Sequence, residues 1–288
     1  MGKAAVKSLF HLILTAATFV LAAVTVLASR SGHYHPESST VMPLLGLAVP
    51  VLLVSCLIVS LCWAVARKKW AFVTLIAFFF NWEYLTAVIR FGSARDIPAT
   101  ASAPNHQGNP GGYLTVATYN VHNFGNEITG YSCKEIARYM RQQHVDVLCF
   151  QEFGGNEHFT ADSLRRALSH WQYALIPADD SIRGLLPIAV FSRYPLTGGR
   201  FITYPHSSNC SMLCDIVAGT DTIRLLNNHL QTTGVSRNRK KWERELTTDN
   251  TRREAQAVQD AAETLHENFV KRAAQTDSIC HLAIAAPH

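Results

Sequence analysis

The chain has 288 residues, 48% of them hydrophobic and 16% charged, with a net charge of +5 at neutral pH. An average soluble protein carries about 25% charged residues, so this composition excludes a disordered acidic chain and a collagen-like one, and points to membrane segments. The basic excess is local: residues 1–100 carry eight Lys and Arg against three Asp and Glu, whereas residues 101–288 carry eighteen of each. A polybasic nucleic-acid footprint over the later part is therefore disfavoured.

Residues 9–28 and 42–66 hold no charge, and residues 70–89 are broken only by Asn81 and Glu83. About 20 apolar residues rising ~1.5 Å each span the hydrocarbon core of a bilayer. The pattern predicts a three-helix transmembrane anchor over residues 1–91. The first stretch follows Lys3 and Lys7 like a signal peptide, but it exceeds the usual apolar run of about 7–15 residues and further spans follow, so an uncleaved anchor is expected. Lys3, Lys7 and Arg67 to Lys69 sit on one side, and only Arg30 lies in the loop at 29–41. The positive-inside bias puts the N-terminus inside and the region after the third span outside. Glu83 reads as an interfacial or bundle-facing residue, and Trp63, Trp70 and Trp82 as interface anchors.

Residues 92–112 hold four Gly and three Pro, the composition of a flexible tether. From 113 onward the pattern is that of a folded α+β domain. Residues 114–119 form a nearly continuous apolar run, as for a strand covered on both faces. Ser132 and Glu135 stand at capping-box spacing ahead of a helix. Residues 145–150 read as a second buried strand, 161–169 as a helix, and 172–176 and 187–192 as strands. Residues 194–199, with Pro195 and two glycines, read as a turn. Residues 212–217 and 222–226 flank a hairpin turn, and from 251 the chain is helical.

Three apolar strands end in polar residues: Asn120, Glu152 and His229. Strand C-termini gather at one edge of a layered sheet, where ligands tend to bind. Carboxylate and amide oxygens suit Mg2+ or Mn2+; zinc calls for more His or Cys. Taken singly these are a turn former, a solvated carboxylate and a satisfied polar residue.

Four segments together carry more. Residues 118–124 (Thr-Tyr-Asn-Val-His-Asn-Phe), 147–153 (Val-Leu-Cys-Phe-Gln-Glu-Phe), 188–196 and 227–232 (Asn-Asn-His-Leu-Gln-Thr) resemble, in order and rough spacing, the endonuclease/exonuclease/phosphatase superfamily of deoxyribonuclease-like hydrolases. The closest resemblance is to its membrane-anchored bacterial members. It implies the first half of a four-layer α/β/β/α sandwich at 113–288, a bacterial inner-membrane location, and a soluble domain on the periplasmic side. It further implies that Glu152 and Asn120 bind Mg2+ or Mn2+ and that Asn120 and His229 are catalytic, with His229 holding the scissile phosphate. Ser192-Arg193 match a family box without an assigned role, and Arg252 and Gln256 a structural helix. The expected activity is metal-dependent hydrolysis of a phosphodiester or phosphomonoester borne by a lipid, nucleic acid or small molecule. The lipid bilayer is the other expected partner, and no protein partner is expected.

Two later boxes of that superfamily, Gly-Asp-x-Asn-Asp and a C-terminal Asp-His pair, do not occur in the 288 residues. The expectation is a truncated chain with weak metal binding and little or no hydrolysis. The alternative is a non-catalytic membrane protein with a binding or structural role. Arg237 and Arg239 belong to a basic cluster at 237–244, read either as phosphate or headgroup contacts or as a solvated loop paired with Glu243 and Glu245. Cys210 and Cys214 would form a disulfide only if the backbone turned between them.

Overall fold

The computed structural model describes residues 3–89, 114–177, 184–247 and 251–284. The expected tether at 92–112 lies outside the described residues. The chain divides into two compact units, one made of Met1–Ser93 and Thr232–Ala273, the other of Ala94–Gln231 and Ala274–His288.

In the first unit, α1 (Lys3–Ala28) and α2 (Val41–Val65) are long and apolar enough to cross a membrane. The third expected span is not one straight helix. It breaks into α3 (Ala71–Phe80) and α4 (Trp82–Val88), bent by 69°, so there are two such helices, or three if the bent pair is one span. Asn81 sits at the break. Its Nδ2 donates to Thr25 O at 3.1 Å and to Ala77 O at 2.9 Å, which ties the end of α3 to α1. In an apolar setting a free amide is costly, so the side chain goes where carbonyls are, and the helix yields there. Trp63 packs inside this unit: it is 5% exposed and its Nε1 donates to Thr18 Oγ1 at 2.9 Å, linking α2 to α1.

The basic cluster at 237–244 is likewise not a loop but part of α7 (Val235–Leu246), entered through Gly234 in the left-handed region at φ 74°. The apolar face of α7 is only Val235, Trp242 and Leu246, which leaves little period to read. Arg239 Nε pairs with Glu243 Oε1 at 3.3 Å within α7. Lys241 Nζ reaches Asp260 Oδ2, also at 3.3 Å, on α8 (Thr251–Ile284), the long helix that includes Arg252 and Gln256.

The second unit is built on two sheets. The first has the order β1-β2-β4-β3, from β1 (Val116–Asn120), β2 (Val147–Gln151), β3 (Tyr173–Leu175) and β4 (Ile188–Ser192). β1 and β2 are parallel and joined through α5 (Tyr131–Gln142); the other pairs are antiparallel. The second sheet has the order β5-β6-β7, all antiparallel, from β5 (Leu196–Thr203), β6 (Cys210–Ala218) and β7 (Asp221–His229). The period of two then sorts the side chains. Leu148, Phe150, Ala189 and Phe191 face α5 and α6 (Ala161–Ala167), packing with Cys133, Ala137, Leu164 and Leu168. Val147, Cys149, Ile188 and Val190 face the other way, onto Cys210, Met212, Cys214 and Ile216 of β6. Helix, sheet and sheet thus form three successive layers of an α+β sandwich.

Several expectations fail for local reasons. β2 and β4 are buried along their whole length, but β1 is the edge strand, with Val116 and Tyr119 exposed, so it is not covered on both faces. Ser132 does not cap α5. The helix starts after Gly130, and the carboxylate of Glu127 accepts from both the backbone N–H and the hydroxyl of Ser132 at 2.7 Å, placing an anion at the positive helix end. The turn read at 194–199 is instead the start of β5, where Gly198 at φ 65° and a register shift between Thr197 and Arg200 make a bulge. Cys210 and Cys214 both lie on straight β6, about 13 Å apart at ~3.3 Å per residue, and are free thiols. Burial pushes the Cys149 and Cys210 thiols up to about 12 and Cys214 up to about 11, so they behave as small apolar core groups.

Asn227 of β7 ties the two sheets together. Its Nδ2 donates to Phe150 O at 3.0 Å and Ala189 O at 3.1 Å, and its Oδ1 accepts from Gln151 Nε2 at 2.7 Å. Asn227→Leu leaves the Gln151 amide and two carbonyls without these partners, at about 1–3 kcal/mol per stranded group. We expect a loss of at least ~2 kcal/mol in denaturant unfolding, with faster amide exchange in β2 and β4. Arg224→Ala, which removes the partly exposed Arg224–Asp215 pair, should cost less than ~1 kcal/mol.

Candidate active site

Asn120 is the last residue of β1 and Glu152 follows the last residue of β2. The two strands are parallel with Asn120 opposite Gln151, so both side chains leave the same edge of the sheet. His229 is the last residue of β7, in the other sheet. Because side chains on a strand repeat every second residue, the inward position of Asn227 dictates that of His229. Asn227 bonds Gln151, and His229, two residues on, stands beside Glu152.

The carboxylate of Glu152 is the hub. Asn120 Nδ2 donates to its Oε1 at 2.9 Å, and His229 Nε2 lies 3.4 Å from the same oxygen. His122 Nδ1 lies 2.8 Å from Oε2. Asn120 Oδ1 accepts the His122 backbone N–H at 3.0 Å, which orients the amide with its nitrogen toward Glu152. Glu152 itself has φ 51°, and residues 122–126 all have positive φ. Asn123 N–H donates to Glu152 O at 2.8 Å, locking the two loops together. A Cβ at Gly154 would crowd Asn123 Oδ1, so the Asn123 side chain would have to turn aside.

Burial disfavours the charged form of Glu152, but hydrogen bonds from Asn120 and His122 and the nearness of His229 and His122 outweigh it, and the carboxyl is held below its ordinary range. Burial pushes the His229 imidazole down, and the charge of Glu152 only partly opposes this. His229 is therefore neutral at neutral pH. Glu152 only accepts, so the proton belongs on Nε2, leaving the buried Nδ1 as a lone pair without a protein partner.

Asn120, Glu152 and His229 are thus brought together. The side chain of Arg237 lies outside the described residues, and Arg239 belongs to the other compact unit, paired with Glu243. Arg193 reaches Asp146 Oδ1 at 3.2 Å, and Ser192 Oγ accepts the Tyr194 N–H, so this box braces the sheet. Sequence reading missed His122, Gln151 and Asn227, although all three sit inside the boxes it singled out. A left-handed run is invisible to periodicity, and this one brings His122 back onto Glu152.

The donor set fits a hard cation. The Glu152 carboxylate, with the Asn120 amide oxygen once it releases the His122 N–H, makes an oxygen donor set of the kind that suits Mg2+ or Mn2+ keeping several waters. Among the described residues, no group of three or more His, Cys, Asp or Glu side chains stands in metal-holding geometry.

A family model described as the Endonuclease/Exonuclease/phosphatase family matches residues 117–270. A second, described as a domain of unknown function (DUF8431), matches residues 10–88. No curated protein matches the chain. Among solved structures, the chain is similar to D. rerio TDP2 humanized by 14 mutations, with 16% identity, a TM-score of 0.34, and coverage of 46% of this chain and 53% of that one. It is also similar to TDP2 from C. elegans, at 17% identity, a TM-score of 0.35 and coverage of 69% and 61%. A third is an endonuclease/exonuclease/phosphatase family protein from Leptotrichia buccalis C-1013-b, at 16%, 0.34, 48% and 63%. The chain spans between half and two thirds of the length of these structures.

Both site shifts act on stability with the same sign. A folded-state pKa below the unfolded one means that the unfolded chain takes up more protons on acidification, so stability present at neutral pH is lost as pH falls. For His229 the loss begins below the unfolded value near 6.5, and for Glu152 below about 4.5. We expect the second unit to melt at lower temperature at about pH 5.5 than at about pH 7.5. His229→Gln should flatten that dependence, and Glu152→Gln, which removes the charge favouring imidazolium, should steepen it; thermal melts across pH check both.

Proposed function

The chain belongs to the endonuclease/exonuclease/phosphatase family, and from that premise we propose that it is a membrane-anchored, divalent-metal-dependent phosphoester hydrolase whose metal- and phosphate-binding half is built from Asn120, Glu152 and His229. The observation that carries the reading is the Glu152 carboxylate, held between Asn120 at 2.9 Å, His122 at 2.8 Å and His229 at 3.4 Å where three strands end.

Glu152 and Asn120 are the residues that would hold the cation. Bound Mg2+ or Mn2+ supplies a Lewis acid that polarises a phosphoryl oxygen and neutralises developing charge. The chain's own groups do the rest. Glu152 stays ionised because its hydrogen bonds oppose burial, so it is ready to bind a cation without first losing a proton. His229, neutral and largely buried, presents its Nε2 proton at the carboxylate, where a phosphate oxygen of the substrate can share it. Its burial keeps water from competing for that proton.

The attacking water has no base of the family kind within these 288 residues, since neither the Gly-Asp-x-Asn-Asp box nor the Asp-His pair is present. A second reading of these 288 residues is a metal- and phosphate-binding membrane protein without turnover. The two readings share the binding site and differ in catalysis. With the full chain in lipid nanodiscs, we expect Mn2+ to bind, as shown by loss of the free-ion EPR signal, and Glu152→Gln to weaken binding by at least about tenfold. Metal-dependent release of nitrophenol from bis(p-nitrophenyl) phosphate, abolished by the same substitution, supports the hydrolase; binding without release supports the second reading. Metal binding indifferent to Glu152→Gln sinks both.

The apolar helices, together with the Lys/Arg bias, support an inner-membrane location with the second unit in the periplasm. Cys280 is exposed near the end of α8. A membrane-impermeant maleimide should label it in intact spheroplasts; labelling only after lysis reverses the orientation.

A further inference from the structure

We propose that His122 is a direct ligand of the cation held by Glu152 and Asn120, its Nδ1 adding a nitrogen donor that makes the site prefer Mn2+ to Mg2+. This rests on the function proposed above and deepens it.

The distances already suit a shared ion. His122 Nδ1 lies 2.8 Å from Glu152 Oε2. Two donors at right angles around an ion with bonds of ~2.1 Å stand about 3 Å apart, so the pair spans one edge of an octahedron with little movement. Asn120 bonds both partners, its Oδ1 accepting the His122 backbone N–H at 3.0 Å and its Nδ2 donating to Glu152 Oε1 at 2.9 Å, so an ion held there takes the amide oxygen by displacing the His122 N–H.

A hydrogen bond to Glu152 does not account for the placement. The His122 side chain is 82% exposed against 16% for Glu152, and a hydrogen bond from so exposed a ring is worth about 1–2 kcal/mol, less than the strain of the loop that aims it. Its backbone, at φ 45°, opens a run of five residues with positive φ, four of them not glycine. Left-handed backbone costs about 1–2 kcal/mol for an ordinary residue such as Phe124, and less for Asn123 and Asn126. The fold sustains that strain by burying Phe124 and by the bonds from Phe124 N–H to Val121 O and from Asn123 N–H to Glu152 O. The result is an imidazole turned back onto the carboxylate with its other nitrogen open to solvent. Strain of this kind collects where a side chain must be aimed. Magnesium takes oxygen donors almost alone, whereas imidazole nitrogen suits first-row transition ions, and affinity for such donors rises from manganese onward.

The test uses the full chain in lipid nanodiscs with Mn2+ alone. The expected result is nitrogen modulation of the Mn2+ electron spin echo, and Mn2+ binding tighter than Mg2+ by about tenfold or more. His122→Asn is the chosen variant, because Asn tolerates left-handed backbone. It should abolish the nitrogen modulation and weaken Mn2+ about tenfold, while Mg2+ affinity stays within about twofold. His229→Asn should keep the modulation. Mn2+ that binds without nitrogen modulation overturns the inference and leaves the proposed function standing, as does modulation that survives His122→Asn or disappears in His229→Asn. Wild-type chain that binds no Mn2+ overturns the inference and the reading beneath it together.

Discussion

The buried amide of Asn227 is the constraint on which the site depends. Two sheets packed through Val147, Cys149, Ile188 and Val190 on one side and Cys210, Met212, Cys214 and Ile216 on the other are held by apolar contact, which has no preferred register. A hydrogen-bonded amide does have one. Nδ2 between Phe150 O and Ala189 O, with Oδ1 on Gln151, leaves β7 one position along β2 and β4 in which every buried polar atom of that amide is satisfied. The position of His229 then follows from strand periodicity, and so does its distance to Glu152. A slip of one residue would turn His229 to the far face of its sheet.

Within that frame the chemistry turns on a contest between burial and hydrogen bonding. Burial acts against the charge on both Glu152 and His229, and the outcome differs because the partners differ. Glu152 receives hydrogen bonds from Asn120 and His122, and its charge survives. His229 has a single charged neighbour and an Nδ1 with no protein partner, and its charge does not. The pair is therefore an anion next to a neutral donor, an arrangement suited to cation and phosphate binding. An ion pair in the same place would have little free charge left to offer.

Much of this was legible in the sequence, and the failures have physical causes. The strands β2, β4 and β6 announce themselves because they are largely buried, and Asn120, Glu152 and His229 stand at or just past the ends of β1, β2 and β7. Asn120, Glu152 and His229 follow from that pattern and from the family resemblance. β1 was misjudged because an apolar run reports propensity, whereas exposure depends on which strands lie alongside, and β1 has a neighbour on one side only. The helix start at Ser132 was misjudged because the spacing to Glu135 is right, yet Glu127, ahead of the helix, reaches the same N–H first. α7 is hard to read because its apolar stripe is thin, Val235, Trp242 and Leu246 in twelve residues, while the charges dominate the pattern. Asn81 was noticed only as an interruption; its bonds to Thr25 O and Ala77 O are what convert an interruption into a break.

The left-handed run after β1 shows why residue type alone does not identify a site. His122 is an ordinary exposed histidine by composition, and Asn123, Phe124 and Asn126 are ordinary loop residues. Their backbone conformation is one that Asn tolerates and Phe rarely adopts, and it is held by Phe124, buried against Phe150 and Phe153 with edge-on rings. The aromatic cluster thus acts at a distance from the carboxylate it serves. It anchors the middle of the loop, the loop's handedness turns His122 back toward the sheet edge, and Glu152, itself at φ 51°, turns to meet it. Two strained segments facing each other across a carboxylate are more costly than an ordinary turn, and a fold that needed only to connect β1 to α5 had cheaper routes. The geometry is explained if what the loop must deliver is a set of donors at fixed separation, which apolar packing holds rigid before any ligand arrives.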